Sequence, residues 1–168
     1  MFKVGDHVVY PYHGAGTIQD IEEKDILGEK LNYYVVFFPL NHVTLMLPEK
    51  TVKDSGLRKI IQPRDIEKVA SALQPTEYAS KKEAARPYSK ENETLLKTGS
   101  IIDAALVIAN LTSKEGERTN GLHMEDRKNL DRAKQFIVSE LMLVKNISEE
   151  EAYEFISEHT VDNRSKGA

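Results

Sequence analysis

Between Gly56 and Gln62 the apolar residues of this chain change their spacing from every second position to every third or fourth. That switch divides the molecule into a β-rich front and a helical remainder. Ahead of it, His7–Tyr10, Gly16–Ile21, Leu31–Phe38 and Val43–Leu47 read as short strands. The Leu31–Phe38 run, LNYYVVFF, is the strongest of these because it is rich in aromatic and β-branched residues. Leu27-Gly28-Glu29-Lys30 and Pro39-Leu40-Asn41-His42 supply turns between them, and Pro48 is expected to end the last strand. Several short strands joined by tight turns within about 50 residues predict a small SH3-like or Tudor-like barrel.

Behind the switch, Pro63 suits the first turn of a helix through Ile66 and Val69. Ser100 and Asp103 make an S-x-x-D variant of the capping box ahead of Ile101, Ala104, Ala105, Ile108 and Leu111. Leu130, Ala133, Ile137, Leu141 and Val144 fall on one face of a longer helix. Ser148 and Glu151 form a clearer box for a last helix, with Ile147 placed to staple against Ala152. Thr112 to Leu122, with Ser113, Gly116, Asn120 and Gly121, reads as a mobile interhelical loop. The fold class expected is therefore α+β: residues 1–58 a small SH3/Tudor-like β-barrel, 59–160 an all-α helical domain, and 161–168 a frayed tail.

The 168 residues carry a net charge of −4, which argues against binding nucleic acid by bulk electrostatics. Any such contact must come from a local patch, for example around Lys81-Lys82, Arg127-Lys128 or Arg132 to Lys134, and would need help from a partner. The chain has no cysteine, so disulfides, thiolate zinc sites and cysteine nucleophiles are excluded. No run approaches the roughly 18 apolar residues of a membrane span, and Met1 to Asp6 do not resemble a signal peptide. A cytoplasmic protein without membrane contact is expected.

His13 stands in Tyr10-Pro11-Tyr12-His13-Gly14-Ala15-Gly16, between two strands. A general base needs an orienting partner, and only Asp6 and Asp20 are near in sequence. The alternative is a polar corner residue, with Pro11 setting the bend and Gly14 and Gly16 permitting positive φ and close backbone approach. His7, His42, His123 and His159 lack metal-ligand spacing, and no nucleophile-elbow, phosphate-loop or dinucleotide motif is present. No enzyme, cofactor or metal is expected. On the long helix, Lys128 and Arg132 point almost directly away from the apolar face, with Arg127 and Lys134 on its flanks. These four cations suit phosphates, or they form an ordinary solvated face shared with Glu125, Asp126 and Asp131.

Phe2-Lys3-Val4-Gly5-Asp6-x-Val8-Val9-Tyr10-Pro11-x-His13-Gly14 resembles the opening of the CarD/CdnL family of bacterial RNA polymerase-binding transcription regulators. It is similar too to the related module of the transcription-repair coupling factor. Ile21-Glu22, Gly28-Glu29, Tyr34, Leu47-Pro48 and Gly56-Leu57-Arg58 extend the match. Leu96-Lys97-Thr98-Gly99, Val107 to Leu111, Gly121-Leu122 and Leu130-x-x-Ala133 carry it into the helical part.

The resemblance implies a Tudor-like domain that docks on the β subunit of RNA polymerase through Lys24, Ile26 and Met46, by addition to a sheet edge. Many relatives place an arginine where Met46 stands. It further implies a helical domain that contacts promoter DNA, with Arg86, Tyr88, Lys90, Lys114, Arg127, Lys128, Arg132 and Lys134 as the candidate contacts. Many relatives use a tryptophan as a minor-groove wedge. This chain has none: the matching position falls at about Ala85, and Tyr88 is the nearest ring. The implied function is a monomeric, non-enzymatic regulator that stabilises the open promoter with little sequence specificity. The alternative is a polymerase-docking adaptor whose helical half binds another protein.

Overall fold

The computed structural model describes residues 2–74, 88–117 and 121–160. Five antiparallel strands make the front part: β1 (His7–Tyr10), β2 (Gly14–Ile26), β3 (Glu29–Phe38), β4 (Val43–Pro48) and β5 (Arg58–Lys59), in the spatial order β4-β3-β2-β1-β5. The front is thus the small Tudor-like β module expected, followed by a helical part. Val8, Ile18, Val36 and Phe38 have no exposed surface and form its core with Tyr34 and Leu47. A short helix α1 (Glu49–Val52), not anticipated from the sequence, brings Val52 against the same cluster.

β2 is twice as long as its apolar pattern predicts, and the residues added beyond Ile21 are exposed. Nothing in side-chain alternation marks Glu22 to Lys30 as a paired arm. What forms it is the two-residue turn Leu27-Gly28, with both φ positive (53° and 84°), the sign pattern of a type I′ hairpin. A bulge at Gln19 shifts the register, so that Ile18 pairs with Val36 and Asp20 with Val35. The slip sets Ile21 opposite Tyr34, on the same side of the sheet, where it is nonetheless exposed.

The helices are α2 (Ile66–Leu73), α3 (Tyr88–Lys97), α4 (Ile101–Glu117), α5 (Met124–Lys145) and α6 (Glu149–Thr160). Ser148 and Glu151 make the reciprocal box: the Ser148 hydroxyl accepts from the Glu151 N–H at 3.1 Å and the carboxylate accepts from the Ser148 N–H at 3.3 Å. At α4 only the forward arm forms, Asp103 N–H to Ser100 at 3.3 Å. The Asp103 carboxylate instead accepts from the Thr98 hydroxyl at 2.7 Å, and that hydroxyl accepts from the Ser100 N–H. The predicted loop beginning at Thr112 is wrong, because α4 continues to Glu117. Lys114, on that added stretch, closes a 2.7 Å ion pair with the buried Asp126 of α5, a long-range contact that local propensity does not register.

The two parts share a core. Val9 of β1 and Ala15 of β2 are fully buried in the same cluster as Val69, Ile108, Ile137 and Leu141. Val8 and Val9, adjacent on one strand, therefore face two different cores.

Candidate interfaces on the sheet and along the long helix

Antiparallel register puts paired residues on one face. Asp20, Val35 and Met46 form one such row, Glu22, Tyr33 and Pro48 the next, then Lys24 with Leu31 and Ile26 with Glu29. Lys24, Ile26 and Met46 accordingly lie on a single outward face. Leu31, Tyr33, Val35 and Phe37 of β3 run through it half-buried, while Ile26 and Met46 are 43% and 38% exposed. LNYYVVFF is apolar at consecutive positions because its alternate residues serve the core and this outer stripe. β4, which carries Met46, is an edge strand of the sheet. An edge with an apolar face beside it suits strand addition, in which main-chain hydrogen bonds supply affinity and flanking side chains supply register.

The opening motif forms a joint. Pro11 touches Gly56 on one side and Gly99, ahead of α4, on the other; a Cβ on either glycine would lie 3.0 Å from the proline ring. The Ala15 N–H donates to Ser139 Oγ of α5 at 2.9 Å, and a Cβ on Gly14 would sit 2.5 Å from that oxygen. Arg58 of β5 reaches across to α5: its Nη1 and Nη2 donate to the two Glu140 oxygens at 2.8 and 2.7 Å, and its Nε donates to the Gly99 carbonyl at 2.9 Å. The Ile61 N–H donates to the same carboxylate at 2.7 Å. Glu140 is fully buried, so the carboxylate side of this bidentate pair is shielded from water, while Arg58 is part-exposed. His13 belongs to the corner. Its ring packs on Tyr10 and Phe38 at 5.4 and 5.6 Å between centroids.

On α5 the four cations divide into two pairs. At 100° per residue Arg127 and Lys134 share one side, and Lys128 and Arg132 lie more than about 100° round the helix. Asp131 stands between them. Arg127, Lys128 and Arg132 are exposed, Lys134 is half-buried, and among the described residues no carboxylate is ion-paired with Lys128 or Arg132. The Arg132 guanidinium lies over the Tyr12 ring, 5.1 Å from its centroid. Lys90 is exposed on α3. Lys114 differs from the expectation of a free phosphate contact, since its ammonium is engaged by Asp126. Arg86 and Ala85 lie outside the described residues, as does the side chain of Tyr88.

Comparison with known proteins gives these surfaces a setting. The family model described as CarD, C-terminal domain matches residues 68–157, more than half the chain. The chain belongs to the CarD family. The model described as CarD-like/TRCF RID domain matches residues 2–61, so both parts of this CarD-family chain are covered. A Bacillus subtilis (strain 168) protein, YdeB, named as a candidate transcription factor, is 34% identical over 155 residues, spanning 92% of this chain and 99% of its own. The solution NMR structure of the 72-residue N-terminal domain of Myxococcus xanthus CarD is 34% identical, covering 35% of this chain and 79% of that one, with a TM-score of 0.31. Membership rests on the two family models and the Bacillus relative. Transcription regulation is thus the general setting of this chain, and its front module is of the polymerase-interacting kind. No described helix is long and apolar enough to cross a membrane.

Within this CarD-family fold, sequence reasoning missed Ser139 and Glu140. A signal for Glu140 was present: at 100° per residue it falls on the same stripe as Ala133 and Ile137, where an unpaired carboxylate is not tolerated. Its partner, Arg58, is too far along the chain for spacing to reveal the pair.

Proposed function

We propose that this CarD-family protein docks on the β subunit of RNA polymerase through the β4 edge and outer sheet face, and lays α5 along promoter DNA. The observation that carries the reading is the shared outward face of Lys24, Ile26 and Met46 beside an edge strand, on a module of the polymerase-interacting type. Lys128 and Arg132 make the primary phosphate contact: both are exposed, neither is ion-paired among the described residues, and Arg132 adjoins the joint through Tyr12. Arg127, Lys134 and Lys90 are secondary, and Arg86 and Tyr88 remain candidates on the same reading. Lys114 is left out because its charge is already matched. Contacts to backbone oxygens carry no base information, so sequence specificity is slight. Contacts favouring the open promoter by about 1–3 kcal/mol shift its equilibrium roughly 5–150-fold.

The test is capture of an isolated β lobe by the full chain and by Lys24→Glu and Met46→Arg, followed by open-complex lifetime on a forked promoter. Both substitutions should change lobe affinity without changing the melting temperature. Lobe affinity unaltered in both variants would misplace the interface. Lobe capture with no effect on the promoter would favour an adaptor that binds another protein.

A further inference from the structure

A cleft of about 440 Å³ opens where the sheet meets α5. Tyr12, His13 and Asn41 form one wall, and Arg132, Gln135 and Phe136 the other. Its size lies within the roughly 300–1,000 Å³ typical of small-ligand sites, and such sites favour junctions of this kind. Three features of the wall point to one chemistry. Tyr12 holds φ at +75°, a conformation that costs a non-glycine residue and is most often retained where a side chain must be presented. The Arg132 guanidinium rests over the Tyr12 ring and pairs with no carboxylate among the described residues, so its N–H edge stays free to fork onto an anion. The lining also includes two flat rings, His13 from one wall and Phe136 from the other, while Asn41 and Gln135 each bring an amide able to donate and accept.

We propose that this cleft binds a free nucleotide, with its phosphate on Arg132, its base against Phe136 and His13, and the base edge read by Asn41 and Gln135. Phosphate needs a fork of donors, a base needs a flat ring to lie against, and its edge needs paired donor and acceptor groups. The cleft supplies all three within one nucleotide's reach. A ligand seated there touches the sheet and α5 together.

The test titrates AMP, GMP and UMP separately into the isotope-labelled full chain and follows its amide resonances. Inorganic phosphate and adenosine serve as separate arms. At least one nucleotide should saturably shift Tyr12, His13, Asn41 and Gln135 at millimolar concentration or below, with each fragment at least about tenfold weaker. Arg132→Gln should weaken nucleotide binding about tenfold or more, the loss of a charge-assisted fork. Asn41→Ala, on the exposed opposite wall, should weaken it without touching that fork, and it keeps the test decisive if the first variant folds poorly. No saturable shift overturns the proposal. So does inorganic phosphate binding as tightly as a nucleotide, or binding indifferent to both substitutions. Neither polymerase nor DNA enters this experiment, so its failure is distinct from failure of the regulator reading.

Discussion

Removing Arg58 should cost more than removing the carboxylate it pairs with, and the cost should depend on pH. Glu140 has no exposed surface, whereas the Arg58 side chain is 29% exposed and also holds the Gly99 carbonyl. In Glu140→Ala the guanidinium therefore keeps the Gly99 and Lys59 carbonyls and gains water. The loss lies near the low end of the range for breaking a buried pair, about 3 kcal/mol. In Arg58→Ala the carboxylate keeps only the Ile61 N–H and has no route to solvent, so it takes up a proton instead. Protonating a glutamate at pH 7 costs about 3.7 kcal/mol, which caps the penalty near 4 kcal/mol and lowers the melting temperature by about 8–16 °C. The folded variant then binds one proton that the unfolded chain, with an ordinary glutamate, does not. Its stability falls as pH rises above about 4.3, and lowering the pH from 7 to 5 should restore about 2.7 kcal/mol relative to the parent. Urea unfolding of the parent and both variants at the two pH values measures this directly. A loss below about 1 kcal/mol at pH 7, or a deficit in Arg58→Ala unchanged at pH 5, would refute the account of a water-free latch.

Gly14→Ala should destabilise the fold by about 1–3 kcal/mol, because the new Cβ meets Ser139 Oγ and the site holds φ at +80°; paired with Ser139→Gly the clash should ease, and thermal melts of both variants check this. Lys128→Glu with Arg132→Glu should leave β-lobe capture intact, shorten open-complex lifetime, and reduce the salt slope of DNA binding by about 2, roughly one counterion for each phosphate that is no longer neutralised. Tyr153 keeps its phenol proton above the ordinary range because burial, then Glu149, then Asp131 disfavour the phenolate. Above pH of about 10 the folded state consequently binds more protons than the unfolded one, so stability falls as pH rises there. Tyr153→Phe should flatten that decline in alkaline urea titrations.

Local chemistry made much of this fold legible. The strands of the core announce themselves by short runs of β-branched and aromatic residues between turn residues, and Ser148 with Glu151 announces α6 by a bond pattern complete within four residues. Apart from the single turn of α1, the failures are of longer range. The hairpin arm beyond Ile21 is held by backbone pairing from a turn that tolerates Leu27 at positive φ, so its charged side chains carry no pattern. Arg58–Lys59 becomes a strand only because β1 offers an unpaired edge. The sequence reading of α5 assigned it one apolar face, yet Phe136 and Ser139 bury a second against the sheet. Contact with the sheet sets Arg132 over Tyr12 beside the joint, with Lys128 one turn away on the same side of the helix and Arg127 and Lys134 apart from both.

On the proposed function, the joint also bears on how weak DNA contacts would become useful. A flexible tether holds a second contact at roughly millimolar effective concentration, and each binding event must still fix the orientation of the two parts. Here Pro11 between two glycines, the Ser139 bond and the Arg58–Glu140 latch fix that orientation in the free protein. Docking one surface would then aim the other without a further entropic cost. A fixed orientation has a consequence that loss of stability alone does not. At a temperature where Glu140→Ala remains folded, it should capture the β lobe as the parent does yet shorten open-complex lifetime, because the helix proposed to face phosphates has lost one of the contacts that fix its angle. Equal lifetimes for the folded variant and the parent would mean that the latch serves the fold alone.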